Sequence, residues 1–447
     1  MTHNAPDAAL TNDLLDRAKR AGATAADAIL VRSTSLSVSV RTGKVEHIER
    51  SESSDLGLRV FKGHKQAIIA TSDLRSNKLD ELVRRVLDMA DATPDDPYAG
   101  LAEPAQLCRN IPILDLAENQ EPAPDLLIKA AGEAEAAALA VGGITNTEGG
   151  DASWGRSDIT LAASNGFVGQ YARTSCGISC TALAGTGTGM ERDYDYDSAT
   201  YWSDLRVATS IGREAAERTV RRLNPRRVAS QQVPIIYEAR QARDLVSHLV
   251  SAINGSSVAR KSTFLKDKLG QAVCGSNIVI HEDPFVPRGP RSRPFDGEGL
   301  APQPRKLIDN GILTSWILDL RSARQLGLTP TGHGARGVGG PPSPSASNVW
   351  LQAGTTSPEE MIADIKQGLY LTDCLGHGTN MVTGDYSRGA SGFWIENGKL
   401  TYPVNELTIA GNLADIFKAM QPANNLTRRF GMDAPSVLVT GMTVAGQ

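Results

Sequence analysis

The chain is 447 residues long, with 40% hydrophobic and 21% charged residues and a formal net charge of -4. That length exceeds one ordinary core and predicts two or three domains of a globular protein. The mildly acidic balance excludes a dedicated nucleic-acid surface, which needs clustered Lys and Arg, and no apolar run reaches the ~20 residues that cross a bilayer. The first residues carry neither a basic flank nor an apolar signal core, so the expected location is the cytoplasm. Five cysteines, an odd number in a large chain, fit reduced thiols.

Residues 10–22 place Leu10, Leu14, Ala18 and Ala21 at helical spacing and stop at Gly22. The period then changes to two. Residues 28–41, 44–51, 56–61 and 66–70 predict an antiparallel meander, broken at Thr42-Gly43, Ser53-Ser54 and Lys62-Gly63. Residues 79–92 predict a helix, and the Pro- and Asp-rich residues 94–124 a connection. The order then repeats: a helix over 125–140, strands over 144–154, 158–163 and 168–183, and a helix over 204–223, with the local cluster Arg221, Arg222, Arg226 and Arg227 at and just beyond its end.

The predicted fold class is α+β. An N-terminal lobe holds two helix, antiparallel sheet, helix units (residues 10–95 and 125–225), and a larger β-rich C-terminal domain covers residues 232–446. The latter opens with a strand over 233–237 and a helix over 238–253. Short strands follow at 278–281, 307–308, 313–318 and 348–351, then a helix at 359–366 and a last strand at 436–444. Residues 332–344, with five glycines and three prolines, read as a surface loop.

Several polar groups invite a chemical reading. Asp193, Asp195 and Asp197 have the first-third-fifth spacing of a calcium loop, but Ser198 stands where that loop needs glycine. An edge strand with Tyr194 and Tyr196 inward and the aspartates in water is the expectation. Cys176 and Cys180 share one strand face, with no second pair for a metal. His281-Glu282 is followed by Asp283-Pro284, which blocks a helix. His333 and His377, in Gly-rich loops, read as surface hydrogen-bonders. Ser387 lacks an adjacent base, and Cys374 lies three residues before His377, but folded geometry and not chain proximity sets a catalytic pair.

Residues 384–398 read GDYSRGASGFWIENG, a glycine-punctuated ribbon with a hairpin turn at Asn397-Gly398. Asp385, Tyr386, Ser387 and Arg388 lie between its turns. This stretch, with residues 255–264, 293–299 and 321–333, resembles the PmbA/TldD peptidase group, also called modulators of DNA gyrase. In TldD-like members a helix carries His-Glu-x-x-x-His, and a C-terminal cysteine completes a zinc site. Matched on His248, this chain offers Arg243, Asp244 and His248, and no cysteine follows Cys374. A guanidinium has no lone pair to give a metal.

The resemblance therefore implies a TldE-type, non-catalytic subunit. It implies no cofactor bound by this chain, zinc in a TldD-like partner, and unfolded peptide as substrate. Family members are associated with peptide-antibiotic maturation and antitoxin turnover. Arg260, Lys261 and the residues Asp385 to Arg388 would hold a peptide backbone or its terminal carboxylate, or Arg388 would pair with Asp385 or Glu396 and pin the fold. The alternatives are a homodimeric, chaperone-like peptide binder, and a protease whose ligands include His248 and His377.

Overall fold

Two long antiparallel strands frame the N-terminal lobe of the computed structural model, which describes residues 5–446. Helix α1 (Ala5–Arg20) leads into β1 (Ala25–Arg41) and β2 (Lys44–Lys62), joined at Thr42-Gly43 with φ of 49° and 71°. Both positive angles suit the primed turn that matches strand twist. Ser53-Ser54 does not break β2: Ser53 lies opposite Ser33 and Ser54 opposite Arg32, whose guanidinium donates to the Ser54 hydroxyl at 3.0 Å. Small hydroxyl residues fit the pleat, so two expected strands are one.

Next come β3 (Lys65–Thr71), α2 (Ser76–Asp91) and α3 (Pro124–Leu139), then β4 (Ile144–Ala163), β5 (Val168–Ala184), β6 (Glu191–Ala199) and α4 (Ala208–Arg221). The expected break at residues 155–157 is likewise absent from β4. The two units share a single antiparallel sheet of order β3-β2-β1-β4-β5-β6. All four helices cover one face. Leu14, Ala18, Leu79 and Val83 pack over Leu30, Leu56 and Leu58, while Ala131, Ala134, Ile211 and Ala215 pack over Leu36, Val38, Trp154 and Ile178.

Strand β6 is an edge strand as expected, but its faces are reversed. Asp193 and Asp197 are 4% and 1% exposed, and Tyr194 and Tyr196 stack on the other side. Arginines from other elements cause the reversal: Arg222 and Arg240 pair with Asp193, and Arg429 with Asp197. A buried carboxylate is tolerated when such donors surround it.

The C-terminal domain runs β7 (Gln231–Tyr237), α5 (Ala239–Ala252), α6 (Gly255–Ala259), β8 (Ile280–Asp283), β9 (Arg305–Asp309), β10 (Ile312–Leu313), α7 (Leu320–Leu326), β11 (Gly334–Ala335), β12 (Ser343–Pro344) and β13 (Asn348–Leu351). It continues with α8 (Pro358–Ala363), β14 (Gln367–Leu375), β15 (Asp385–Glu396), β16 (Lys399–Asn412), α9 (Leu413–Ala419), β17 (Gln421–Pro422), β18 (Met432–Asp433) and β19 (Val437–Ala445). One sheet has the order β16-β15-β14-β7-β19-β17, and β16 also pairs with β19, closing a barrel. Closure removes the open edges of β16 and β19 there. A second sheet runs β10-β9-β8-β13-β18. The strand expected over 313–318 is only Ile312–Leu313, since Trp316, Ile317 and Leu318 form a buried approach to α7.

Residues 332–344 are a surface loop only in part: Gly337, Gly339, Pro341 and Ser343 are exposed, while Gly332, His333, Gly334, Pro342 and Pro344 are buried. They form a strap between the lobes: His333 is 2% exposed, and the enclosed Arg336 reaches Asp27 on β1, which also holds Arg59. A Cβ on Gly57 would lie 2.1 Å from the Val338 carbonyl oxygen, so only glycine admits the strap so close to β2. Phe295 and Leu300 complete the contact by packing on Ile29, Leu161 and Phe167. Among the described residues no helix is long and apolar enough to cross a membrane.

Candidate functional site

Helix α5 buries Ala242, Leu245, Val246 and Leu249 in the barrel core and leaves Arg240, Arg243, Asp244 and His248 on its polar side. Arg243 lies 4.5 Å from the ring centre of Phe430, and donates to the Tyr196 hydroxyl and the Arg240 carbonyl, both at 3.2 Å. Arg240 lies over Tyr194 and donates to Asp193 at 3.0 Å. Arg429 sits beside Phe430 in the chain and pairs with Asp197, and Arg428 lies over Trp350. The region where the family resemblance placed a third metal ligand does meet α5, but it meets it as an arginine-aromatic stack.

His248 lies more than one turn further along α5. Its ring meets Tyr386 edge-on at 5.8 Å, and its Nε2 is buried without a hydrogen-bond partner among the described residues. Burial lowers its pKa below 6.5; the Asp244 charge opposes the shift and Arg388 adds to it. Tyr386 is 2% exposed, and burial pushes its hydroxyl pKa up. Cys374 approaches that hydroxyl at 4.0 Å, and burial raises its thiol to about 11. A thiol so raised is protonated at neutral pH and is a poor nucleophile.

Because β15 is a strand, its signature tetrad splits across two faces. Tyr386 and Arg388 point toward His248 and Cys374, while Asp385 and Ser387 are exposed. Arg388 pairs with neither Asp385 nor Glu396: it donates to the carbonyls of Leu375 at 3.2 Å and Cys374 at 3.5 Å. Asp385 instead accepts from Thr383 at 2.7 Å, and Glu396 from Tyr402 at 3.2 Å. The Ser387 hydroxyl has no partner among the described residues.

The exposed loop ahead of β15 is held by the Ser387 amide, which donates to the Gly378 carbonyl at 2.7 Å. A Cβ on Gly378 would sit 1.8 Å from the Ser387 oxygen. Arg260 and Lys261 are exposed beyond α6, and their side chains make no hydrogen bond or ion pair among the described residues. Their segment touches the loop through the Phe264 amide, which donates to Met381 at 2.9 Å. The six residues expected to bind peptide thus divide among three surfaces.

His333 and Glu282 join in a buried lock that lay outside the sequence expectation. Glu282 meets His333 Nε2 at 2.7 Å and accepts from the Ser347 amide and hydroxyl, and His333 Nδ1 meets Thr331 at 2.7 Å. Burial pushes the Glu282 pKa up, but the His333 bond and charge and the Ser347 bonds outweigh it and hold the carboxyl at about 2. His377 is exposed in the loop before β15, as expected of a surface histidine.

A hollow of about 470 Å³ opens on the helix-free face of the sheet, lined by Ser153, Gly177, Ser179, Thr181, Tyr194 and Tyr196. Its tyrosine end is where Arg240 and Arg243 of α5 dock. Serine and glycine at alternate strand positions are the sequence signal for it, since period-two small polar residues mark a face with no core against it.

A zinc site needs about three lone-pair donors. Along this face of α5 only one imidazole, His248, offers a lone pair, Arg243 offers none, and no group of three His, Cys, Asp or Glu among the described residues is placed to hold a metal. The residues present do not fit a zinc ion.

Comparison with known proteins gives three family-model matches in chain order. The PmbA/TldA metallopeptidase domain 1 covers residues 26–90, the central domain residues 118–223 and the C-terminal domain residues 230–446. The metalloprotease PmbA of Escherichia coli O157:H7 is 39% identical over 425 residues, covering 94% of this chain and 92% of that protein. A crystal structure described as a putative modulator of DNA gyrase from Bacteroides thetaiotaomicron superposes with a TM-score of 0.92 at 26% identity, covering 100% of both chains. TldE from Thermococcus kodakarensis shares the fold, with a TM-score of 0.86 at 20% identity over 98% of this chain and 100% of that one. The chain belongs to the PmbA/TldD metallopeptidase family.

Proposed function

We propose that this chain is the TldE-type subunit of a cytoplasmic two-subunit zinc peptidase, holding no catalytic metal itself and handling unfolded peptide for a TldD-like partner. The observation that carries this reading is the packing of Arg243 against Phe430 and Tyr196. A fixed positive charge with no lone pair occupies the ligand position, and its aromatic partners fill the space beside it. A cation there repels a second cation, so the position is unsuited to zinc on electrostatic grounds as well as on donor chemistry.

The chain's own contribution is a path for peptide. The hollow lined by Ser153, Ser179, Thr181 and Tyr196 offers hydroxyl groups that exchange hydrogen bonds with any main chain and select no particular side chain. Zinc held by the partner would supply the hydrolytic water. The residues described here would bind and orient the peptide and restrict access to its unfolded form.

The test is co-expression with a TldD-like chain carrying His-Glu-x-x-x-His. The two are expected to co-purify, and peptidase activity is expected only in the mixture. Stoichiometric zinc in the isolated chain, lost together with peptidase activity in His248→Ala, overturns the proposal. Failure of any TldD-like chain to associate favours the partner-free peptide binder.

A further inference from the structure

We infer that the cavity between the end of α4 and the outer face of the C-terminal barrel binds a small organic carboxylate with an aromatic or branched apolar body. The cavity has a volume of about 390 Å³. Strand alternation builds its floor: Leu369 and Leu371 of β14 and Trp394 of β15 enter the barrel core, which turns Tyr370, Thr372 and Phe393 outward. Tyr370 lies opposite Phe393 in the antiparallel pair, so the two side chains are neighbours on that face. Pro358 and Ile362 of α8 and Leu400 of β16 continue the apolar wall, and the last turn of α4 closes it from the N-terminal lobe. Both helices flank the outer face of the barrel without filling the space between them, and that space is in the size range of small-molecule sites.

The charges around the cavity identify the ligand. Four of them cancel in pairs: Arg218 with Glu238, and Arg222 with Asp193 at 3.3 Å. Arg221, Lys399 and Glu359 are exposed and have no ion pair among the described residues. Two free cations against one free carboxylate suit a ligand with a single negative charge, and a cationic ligand finds only Glu359 to meet it. Arg221 is held in place over the Phe393 ring, 4.8 Å from its centre. A guanidinium so placed can offer paired donors to a carboxylate whose apolar body lies on Phe393, Leu400 and Ile362.

The site is separate from the serine-lined hollow. Asp193 borders it from the face of β6 turned away from Tyr194 and Tyr196, which line the hollow. It therefore does not rest on the peptidase reading. A ligand in it would touch α4 of the N-terminal lobe and β14, β15 and β16 of the barrel at once, and so would hold the two parts together. The same chemistry is found in a free aryl or branched-chain acid and in the last residue of a peptide.

The test is calorimetric titration of the purified full chain with phenylpropionate, which is expected to bind with a Kd of about 1 mM or tighter. Phenylpropionamide, which keeps the ring and loses the charge, is expected to bind about tenfold more weakly, and phenethylamine not at all. Arg221→Gln and Lys399→Gln are each expected to weaken the acid about fivefold, whereas Arg20→Gln, the same loss of charge on α1, leaves it unchanged. Ile362→Trp fills the apolar end and is expected to abolish binding. Circular dichroism shows that each variant is folded. Acetyl-glycyl-phenylalanine distinguishes the sources: binding tighter than the free acid assigns the site to peptide ends, and weaker binding assigns it to free acids. No heat of binding up to about 10 mM phenylpropionate overturns the inference. So does equal affinity for acid and amide, or an affinity that survives Arg221→Gln, Lys399→Gln or Ile362→Trp.

Discussion

Arg243 on α5 and Phe430 in the loop before β18 are stacked at 4.5 Å, and the stack joins α5 to the C-terminal segment where the resemblance expects a further ligand. Arg243→Ala is expected to remove a cation-π contact and the bond to Tyr196, at a cost of about 1–2 kcal/mol of stability in urea denaturation. Arg243→His restores one imidazole without a third donor. Less than stoichiometric zinc should remain on that variant after dialysis, by metal analysis.

His248 gives a pH dependence with a definite sign. Its pKa is lowered in the folded chain, chiefly by burial, so the unfolded chain takes up a proton first as pH falls. Its contribution to stability is whole above about pH 6.5 and is lost as pH falls from there through the lowered folded value. The wild type should therefore lose stability between pH 7 and pH 5 more steeply than His248→Phe, in denaturation curves taken across that range.

Asp27 holds two guanidinium groups, Arg59 from its own lobe and Arg336 from the strap. Asp27→Ala leaves both cations buried and is expected to cost about 3–5 kcal/mol. Proteolysis should then cut the strap at residues 334–340, and the wild type should resist cleavage there.

Gly378→Ala places a methyl group 1.8 Å from the Ser387 oxygen, which forces the loop off β15. The melting temperature should fall, by an amount equivalent to about 2 kcal/mol, and protease sensitivity should rise between residues 376 and 384.

Ser179→Trp fills the hollow beside Tyr196 while keeping the strand pairing intact. Peptide turnover by the mixture with a TldD-like chain is expected to fall, with the melting temperature of the isolated chain little changed. Unchanged turnover would remove the hollow from the peptide path.

The α+β class, the order of helices and strands and the Asn397-Gly398 hairpin were legible because periodicity and turn chemistry are local. That turn adopts φ of 49° and 78° as the residue types require. Three features escaped for one reason: their cause lies far along the chain. The aspartates of β6 face inward only because Arg222, Arg240 and Arg429 arrive from other elements. The His333 and Glu282 lock joins positions 51 residues apart, and the strap is partly buried because Asp27 sits 309 residues away from Arg336. At the candidate site, the motif alone put Arg243 where the resemblance expects a ligand. Its contact with Tyr196 and Phe430 was not legible, since no local pattern brings β6, α5 and the loop before β18 together.

The closure of the C-terminal barrel bears on how the chain is made. Tyr237 of β7 reaches Met442 of β19 across 205 residues of intervening chain. A ribosome must therefore translate all of that stretch before the barrel can shut, and loop closure over such a span is slow. Until then the nascent β7 offers an unshielded flank to other chains, so production should depend on chaperones and on cool, slow expression more than the finished stability of the protein would suggest.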